Sequence, residues 1–127
     1  MKNSTPNILL VDDSSTNNLL LESALKDLNF IVTSAVSGEE ALSILNKKAI
    51  DLVLLDIMMP GMSGYDVLEL MIKDDKLDKI PVILVTARNK LEEEKKAQEL
   101  GAADYFEKPL ILDKLISRIK ELIPECV

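Results

Sequence analysis

Two kinds of apolar pattern alternate along this chain. Continuous runs come at 8–11 (ILLV), 52–55 (LVLL) and 82–85 (VILV). A run with no polar interruption suits a strand covered on both faces, so these three belong in the interior of a sheet. The stretch FIVTSAV at 30–36 is broken by Thr33 and Ser34 and reads as a sheet edge; ADYFE at 103–107 reads as a short last strand. Between the runs, apolar residues recur at helical spacing. Leu21, Ala24, Leu25 and Leu28 form one inward stripe flanked by Leu20, with Leu19 on the opposite face. Ala41, Leu42 and Leu45 form a second, Val67, Leu68, Met71 and Ile72 a third, and Leu112, Leu115, Ile116, Ile119 and Leu122 a last one that Pro124 stops.

The polar residues at the edges of these patterns punctuate them. Ser14 and Ser15 can cap the first helix, Ser37 with Glu40 makes a capping box for a helix reaching about Lys48, and Ser63 follows Pro60 and Gly61 to open a helix near Gly64. The charged segment 90–100 reads as a helix with little to bury, in which Glu92 and Lys96 stand one turn apart; Gly101 closes it. Strand then helix, five times over, predicts an α/β fold with a five-stranded parallel sheet and helices on both faces.

The ends of the strands carry the chemistry. The first run ends at Asp12 and Asp13, the third strand at Asp56, the fourth at Thr86, and the fifth leads to Lys108 and Pro109. In open sheets of this kind ligands bind outside the carboxyl ends of the strands, and with strand order 2-1-3-4-5 the first and third strands are neighbours where the winding reverses. Asp12, Asp13 and Asp56 then converge. Carboxylates so placed repel one another and favour a proton or a cation. An oxygen-only, water-open set suits Mg²⁺, and the Met58 backbone carbonyl is well placed to join it. A carboxylate nucleophile, a divalent cation, the Thr86 hydroxyl and the Lys108 ammonium are what phosphoryl transfer needs, because that chemistry is mostly positioning and charge neutralisation.

Composition narrows the choice. At 127 residues the chain fits one domain spanning 1–127, and a net charge of −7 argues against direct binding to nucleic acid. Histidine is absent, which removes Ser-His-Asp and Cys-His catalysis and the usual zinc sites. The single cysteine, Cys126, leaves no internal disulfide and suits a reducing compartment. No stretch has the character of a signal peptide or the length of a membrane span, so a soluble, cytoplasmic protein with no membrane contact is expected.

DD after the first strand, D-x-M-M-P-G-M-S-G after the third, T-A after the fourth and K-P after the fifth together resemble the response-regulator receiver domain, over about 6–123. The resemblance implies a flavodoxin-like fold similar to that of the single-domain chemotaxis regulator. It implies Asp56 as acceptor of a phosphoryl group from a histidine kinase or a histidine phosphotransfer protein, Asp13 as a direct Mg²⁺ ligand, Asp12 as a direct or water-mediated one, and the Met58 carbonyl as another. It also implies Thr86 and Lys108 on the phosphoryl oxygens, a cis Lys108–Pro109 peptide, Tyr105 as a switch aromatic that turns inward with Thr86, and Leu19 as a docking residue for the kinase. Met58 and Arg88 would flank the path of hydrolytic water. A haloacid-dehalogenase-type phosphatase also uses an aspartyl nucleophile with Mg²⁺, but it calls for D-x-D where this chain has Met58. A flavodoxin proper would want a neutral phosphate loop where this chain has DDSS, and a receiver-like module that is never phosphorylated is the remaining alternative. The output stays open: stand-alone receiver, relay intermediate, or part of a longer regulator or hybrid kinase, with STNNLLL leaning slightly toward the hybrid-kinase and relay receivers.

Overall fold

In the computed structural model, which describes residues 5–87 and 91–123, ten elements alternate as the apolar pattern predicts. They are β1 (Asn7–Val11), α1 (Ser15–Lys26), β2 (Ile31–Ala35), α2 (Gly38–Lys47), β3 (Leu52–Asp56), α3 (Gly64–Ile72), β4 (Val82–Thr86), α4 (Leu91–Glu99), β5 (Asp104–Glu107) and α5 (Leu112–Leu122). All strands pair in parallel in the order β2-β1-β3-β4-β5. Every residue of β3 and β4 is buried, whereas β2 and β5 are only partly covered, as their interrupted sequences require of edge strands.

Because side chains alternate along a strand, the sheet divides its apolar residues between two cores. Leu9, Val11, Val53, Leu55, Val82 and Leu84 face one side and pack with Ala41 and Leu45 of α2, Val67, Leu68 and Met71 of α3, and Ala97 of α4. Ile8, Leu10, Leu52, Leu54, Ile83 and Val85 face the other and pack with Leu25 of α1 and Leu115 and Ile119 of α5. Asp12 and Asp56 continue the second series, two residues beyond Leu10 and Leu54. Thr86 continues the first, two beyond Leu84.

Three caps behave as their sequences indicate. Ser14, Ser37 and Ser63 each accept a backbone N–H from the third residue on, and Asp66 completes a capping box by accepting from Ser63 N at 3.0 Å. Glu40 reaches one residue further back than expected, to Val36 N at 2.8 Å. Ser15 is the first helical residue of α1 and not its cap.

The α1 stripe is narrower than the spacing suggests. The helix ends at Lys26, so Leu28 falls in the following turn, where Asn29 adopts a φ of 70° and the helical period no longer places side chains. Leu28 is exposed, and Leu20, which sits well round the helix from Leu25, is 70% exposed. Ile72 and Leu112, at the ends of α3 and α5, also face water. The start of the fourth helix at Lys90, the Glu92–Lys96 pair, Arg88, Pro124 and Cys126 lie outside the described residues or side chains. Among the described residues no helix is long and apolar enough to cross a membrane.

Candidate functional site

Adjacent strands β1 and β3 run in register, with Val11 opposite Leu55, so the residues just past each strand end share one edge of the sheet. Asp56 is the last residue of β3, opposite Val85 of β4, and only 5% exposed. Asp12 follows β1 and is held by its own backbone N–H to Ala35 O at 3.2 Å. Asp13 is exposed beside it. Each of the three brings a carboxylate oxygen within 4.8 Å of the others.

Lys108 answers this charge from the end of β5. Its Nζ lies 2.9 Å from Asp12 Oδ2 and 3.5 Å from Asp56 Oδ2, and its peptide to Pro109 is cis. Its backbone N–H donates to Thr86 O at 2.7 Å, which ties the lysine to the end of β4. The other Asp12 oxygen accepts from Ser14 N at 2.9 Å, and Asp56 Oδ1 accepts from Met58 N at 3.3 Å. Burial above all raises the Asp56 carboxyl above its ordinary value; Lys108 pulls it down and Asp12 pushes it up again. For Lys108 burial is the largest single influence and works against the charge. The hydrogen bond to Asp12 and the pull of Asp56 outweigh it, so the ammonium is held above its usual range.

Three carboxylates against one ammonium leave two negative charges uncompensated in a partly buried spot. The donors are all oxygens and Asp13 faces water, so the set fits a hard cation that keeps some of its hydration, and Mg²⁺ is the common ion of that description.

The remaining residues singled out from sequence fall around this cluster. Thr86 is 2% exposed, one residue beyond Val85, the partner of Asp56. Tyr105 pairs with Leu84, is half-buried, and packs on the same face of the sheet as Thr86. The Met58 side chain is exposed at the rim. Leu19, on α1, is 68% exposed.

Sequence reasoning missed two residues that build the site. Asn18 is 5% exposed, and its amide donates to Asp12 O and Ala35 O, both at 3.0 Å, clamping the β1–α1 loop to the end of β2. Its place three and seven residues before Leu21 and Leu25, on the inward stripe, was the available signal. Gly64 is the other. A Cβ there would come within 2.8 Å of Ile57 Cα and closer still to Asp56 O, so only glycine lets the start of α3 rest against the backbone of the central aspartate. Gly61, with φ of 75°, makes the turn that brings α3 back.

The fold and the carboxylate cluster at its strand ends define an α/β module of the doubly wound, flavodoxin-like class. The chain belongs to the response regulator receiver domain family, whose model matches residues 8–120. It is 38% identical over 117 residues to a protein of Porphyra purpurea described as a probable transcriptional regulator, ycf29, and 43% identical over 112 residues to one of Vibrio cholerae described as a probable cyclic di-GMP phosphodiesterase. These matches cover 92% and 88% of this chain but 56% and 25% of the relatives, so it spans about half of one and a quarter of the other. Among solved structures, a response regulator receiver protein from Pseudomonas putida superposes with a TM-score of 0.89 at 27% identity, covering 94% of this chain and 99% of that one. The Vibrio cholerae chemotaxis protein CheY4 shares the fold, with a TM-score of 0.88 at 24% identity over 94% and 99% of the two chains.

Proposed function

We propose that the chain accepts a phosphoryl group on Asp56 from a histidine kinase or a histidine phosphotransfer protein, with Mg²⁺ held by Asp12, Asp13, Asp56 and the Met58 backbone carbonyl. The observation that carries this reading is the meeting of three carboxylates from two strand ends with the Lys108 ammonium. Bound there, Mg²⁺ supplies positive charge against the phosphoryl oxygens. A carboxylate oxygen of Asp56 attacks phosphorus, the phosphorus–nitrogen bond of the donor phosphohistidine breaks, and its electron pair leaves with the imidazole. Lys108 stands 3.5 Å from the nucleophile and offsets charge on the phosphoryl oxygens as it transfers. Thr86 contributes its hydroxyl to the same oxygens.

The new charge on Asp56 biases a two-state element made of Thr86, Tyr105, α4, β5 and α5. The exposed Leu19 on α1 gives the kinase or phosphotransfer domain an apolar foothold. Acetyl phosphate with Mg²⁺ should add one phosphate to the wild type and none to Asp56→Asn. Equal labelling of the two defeats the assignment. Leu19→Asp should slow phosphotransfer from the cognate kinase while leaving labelling by acetyl phosphate unchanged, and an unchanged kinase rate removes Leu19 from the docking surface.

A further inference from the structure

We propose that the groove beside the carboxylates is a leaving-group subsite, one that favours small acyl phosphates carrying an apolar tail over acetyl phosphate as direct phosphoryl donors. The proposal rests on reading Asp56 as the phosphoacceptor. A cavity of about 550 Å³ opens between α1, the sheet and the chain after β5. Asp12, Asp56 and Lys108 line one end of it. The remaining wall is mostly apolar, built from Leu20, Leu21 and Ala24 of α1, Leu54 of β3, and Leu110.

The alternation of the sheet explains why the two parts are continuous. Leu54 and Asp56 are two residues apart and share a face, as do Leu10 and Asp12, so the face that carries the carboxylates also carries the apolar floor. The volume falls in the range of sites that enclose small organic ligands, roughly 300–1,000 Å³, which are typically apolar with a few convergent polar groups. A phosphoryl group fills only the polar end. The acetyl group of acetyl phosphate is too short to cover the wall. A longer acyl chain removes both its own methylenes and the faces of Leu20, Leu21 and Leu110 from water.

The step balances without any further reactant. One Asp56 carboxylate oxygen forms the bond to phosphorus, the bond from phosphorus to the acyl oxygen breaks, and the electron pair departs with the acyl carboxylate. The tail acts only through its contact with the groove, which holds the donor in place as its phosphorus meets Asp56.

The test is a donor series of acetyl, butyryl and hexanoyl phosphate at fixed Mg²⁺, with phosphate incorporation followed by mass spectrometry. The rate at subsaturating donor should rise roughly twofold for each added methylene, less than full burial would give because the groove is partly open. Leu20→Gln, at an exposed position where folding is not at stake, should keep the acetyl phosphate rate and flatten the series. Ala24→Leu, which fills the groove with apolar bulk, should keep the acetyl phosphate rate and penalise hexanoyl phosphate most. As a binding readout, hexylphosphonate should shift the backbone amide resonances of Leu20, Ala24 and Leu110 at concentrations where methylphosphonate does not. A rate that is flat along the series while acetyl phosphate labels Asp56 overturns the subsite and leaves the apolar wall to a macromolecular partner. Failure of every donor to label Asp56 overturns the phosphoacceptor reading itself, and the subsite with it.

Discussion

Replacing Asp56 by asparagine should stabilise the metal-free protein, and the size of the effect follows from three opposing influences at the site. At an effective permittivity of about 20, the attraction of Lys108 at 3.5 Å is worth about 5 kcal/mol to the ionised carboxylate. Repulsion by Asp12, within 4.8 Å, costs it at least about 3.5 kcal/mol on the same basis, and Asp13, exposed to water, adds a little more. The charges nearly cancel, so dehydration of a carboxylate that is 5% exposed decides the sign. A loss of about 1–3 kcal/mol is usual for a buried polar group without full hydrogen bonding. The amide should therefore gain about 1 kcal/mol, or about 4 °C in Tm for a domain of this size. This agrees with the raised Asp56 carboxyl.

The pH dependence has a definite sign. A proton on Asp56 favours the folded state, so its stabilising effect is fully present below the ordinary aspartate value of 3.8 and is lost as pH rises through the raised folded value. The advantage of Asp56→Asn should shrink as pH falls into that window. Saturating Mg²⁺ should reverse the order, because a ligand at a hundredfold over its Kd stabilises by about 2.7 kcal/mol and the amide variant keeps only two of the three carboxylates. Thermal melts of both proteins in chelator and in Mg²⁺ are the assay. A variant less stable than wild type in chelator would show that the Lys108 pair, not dehydration, governs the site.

Other substitutions test the scaffold around it. Gly64→Ala places a methyl against the backbone of Asp56 and Ile57, which cannot move as a side chain can, and should cost about 3 kcal/mol or more by urea denaturation. An unchanged midpoint would mean that α3 can back away from the site. Asn18→Leu takes the amide donor away from Asp12 O and leaves Ala35 O with the Asp12 N–H alone, and should cost about 1–3 kcal/mol in the same assay; a neutral result would remove the clamp from the description. Tyr65→Phe deletes the hydroxyl that donates to the Glu93 carboxylate but keeps the ring under Lys96 Nζ, 4.3 Å from its centroid. It should cost about 1–2 kcal/mol and speed amide hydrogen exchange in α4. Equal exchange in the two proteins would show that α4 is held by other contacts.

The strands and their order were legible because the three interior runs are continuous and each gives way to a polar residue at its carboxyl end. Asp12, Asp56, Thr86 and Lys108 announced themselves by standing where apolar patterns stop. Helix faces were less legible at their ends. The 3.6-residue period places Leu25 correctly, but it cannot tell that α1 ends at Lys26 and so misplaces Leu28. Asn18 and Gly64 were hidden for another reason. Their roles lie in contacts with backbone atoms of Ala35 and of Asp56 and Ile57, and a backbone carbonyl has no signature in the sequence.

The division of the sheet into two faces carries a consequence for how a phosphoryl group on Asp56 could be read. Asp56 shares its face with Leu54 and α1, whereas Thr86 and Tyr105 share theirs with Leu84 and the α4 side. The two faces meet at the end of β4, where Thr86 O accepts the backbone N–H of Lys108 at 2.7 Å. On the α4 side the helix offers little apolar surface, with Ala97 its buried core residue among the described side chains. Its link to α3 is polar, through Tyr65, whose hydroxyl is kept protonated well above the usual range by burial first and then by Glu93, with Tyr105 near enough to add to the effect. Among its described side chains, α4 is anchored by Ala97 and by the contacts of Glu93 and Lys96 with Tyr65, and not by a deep apolar stripe. The lightly anchored helix therefore lies on the face opposite the carboxylates, next to the aromatic residue that pairs with Leu84.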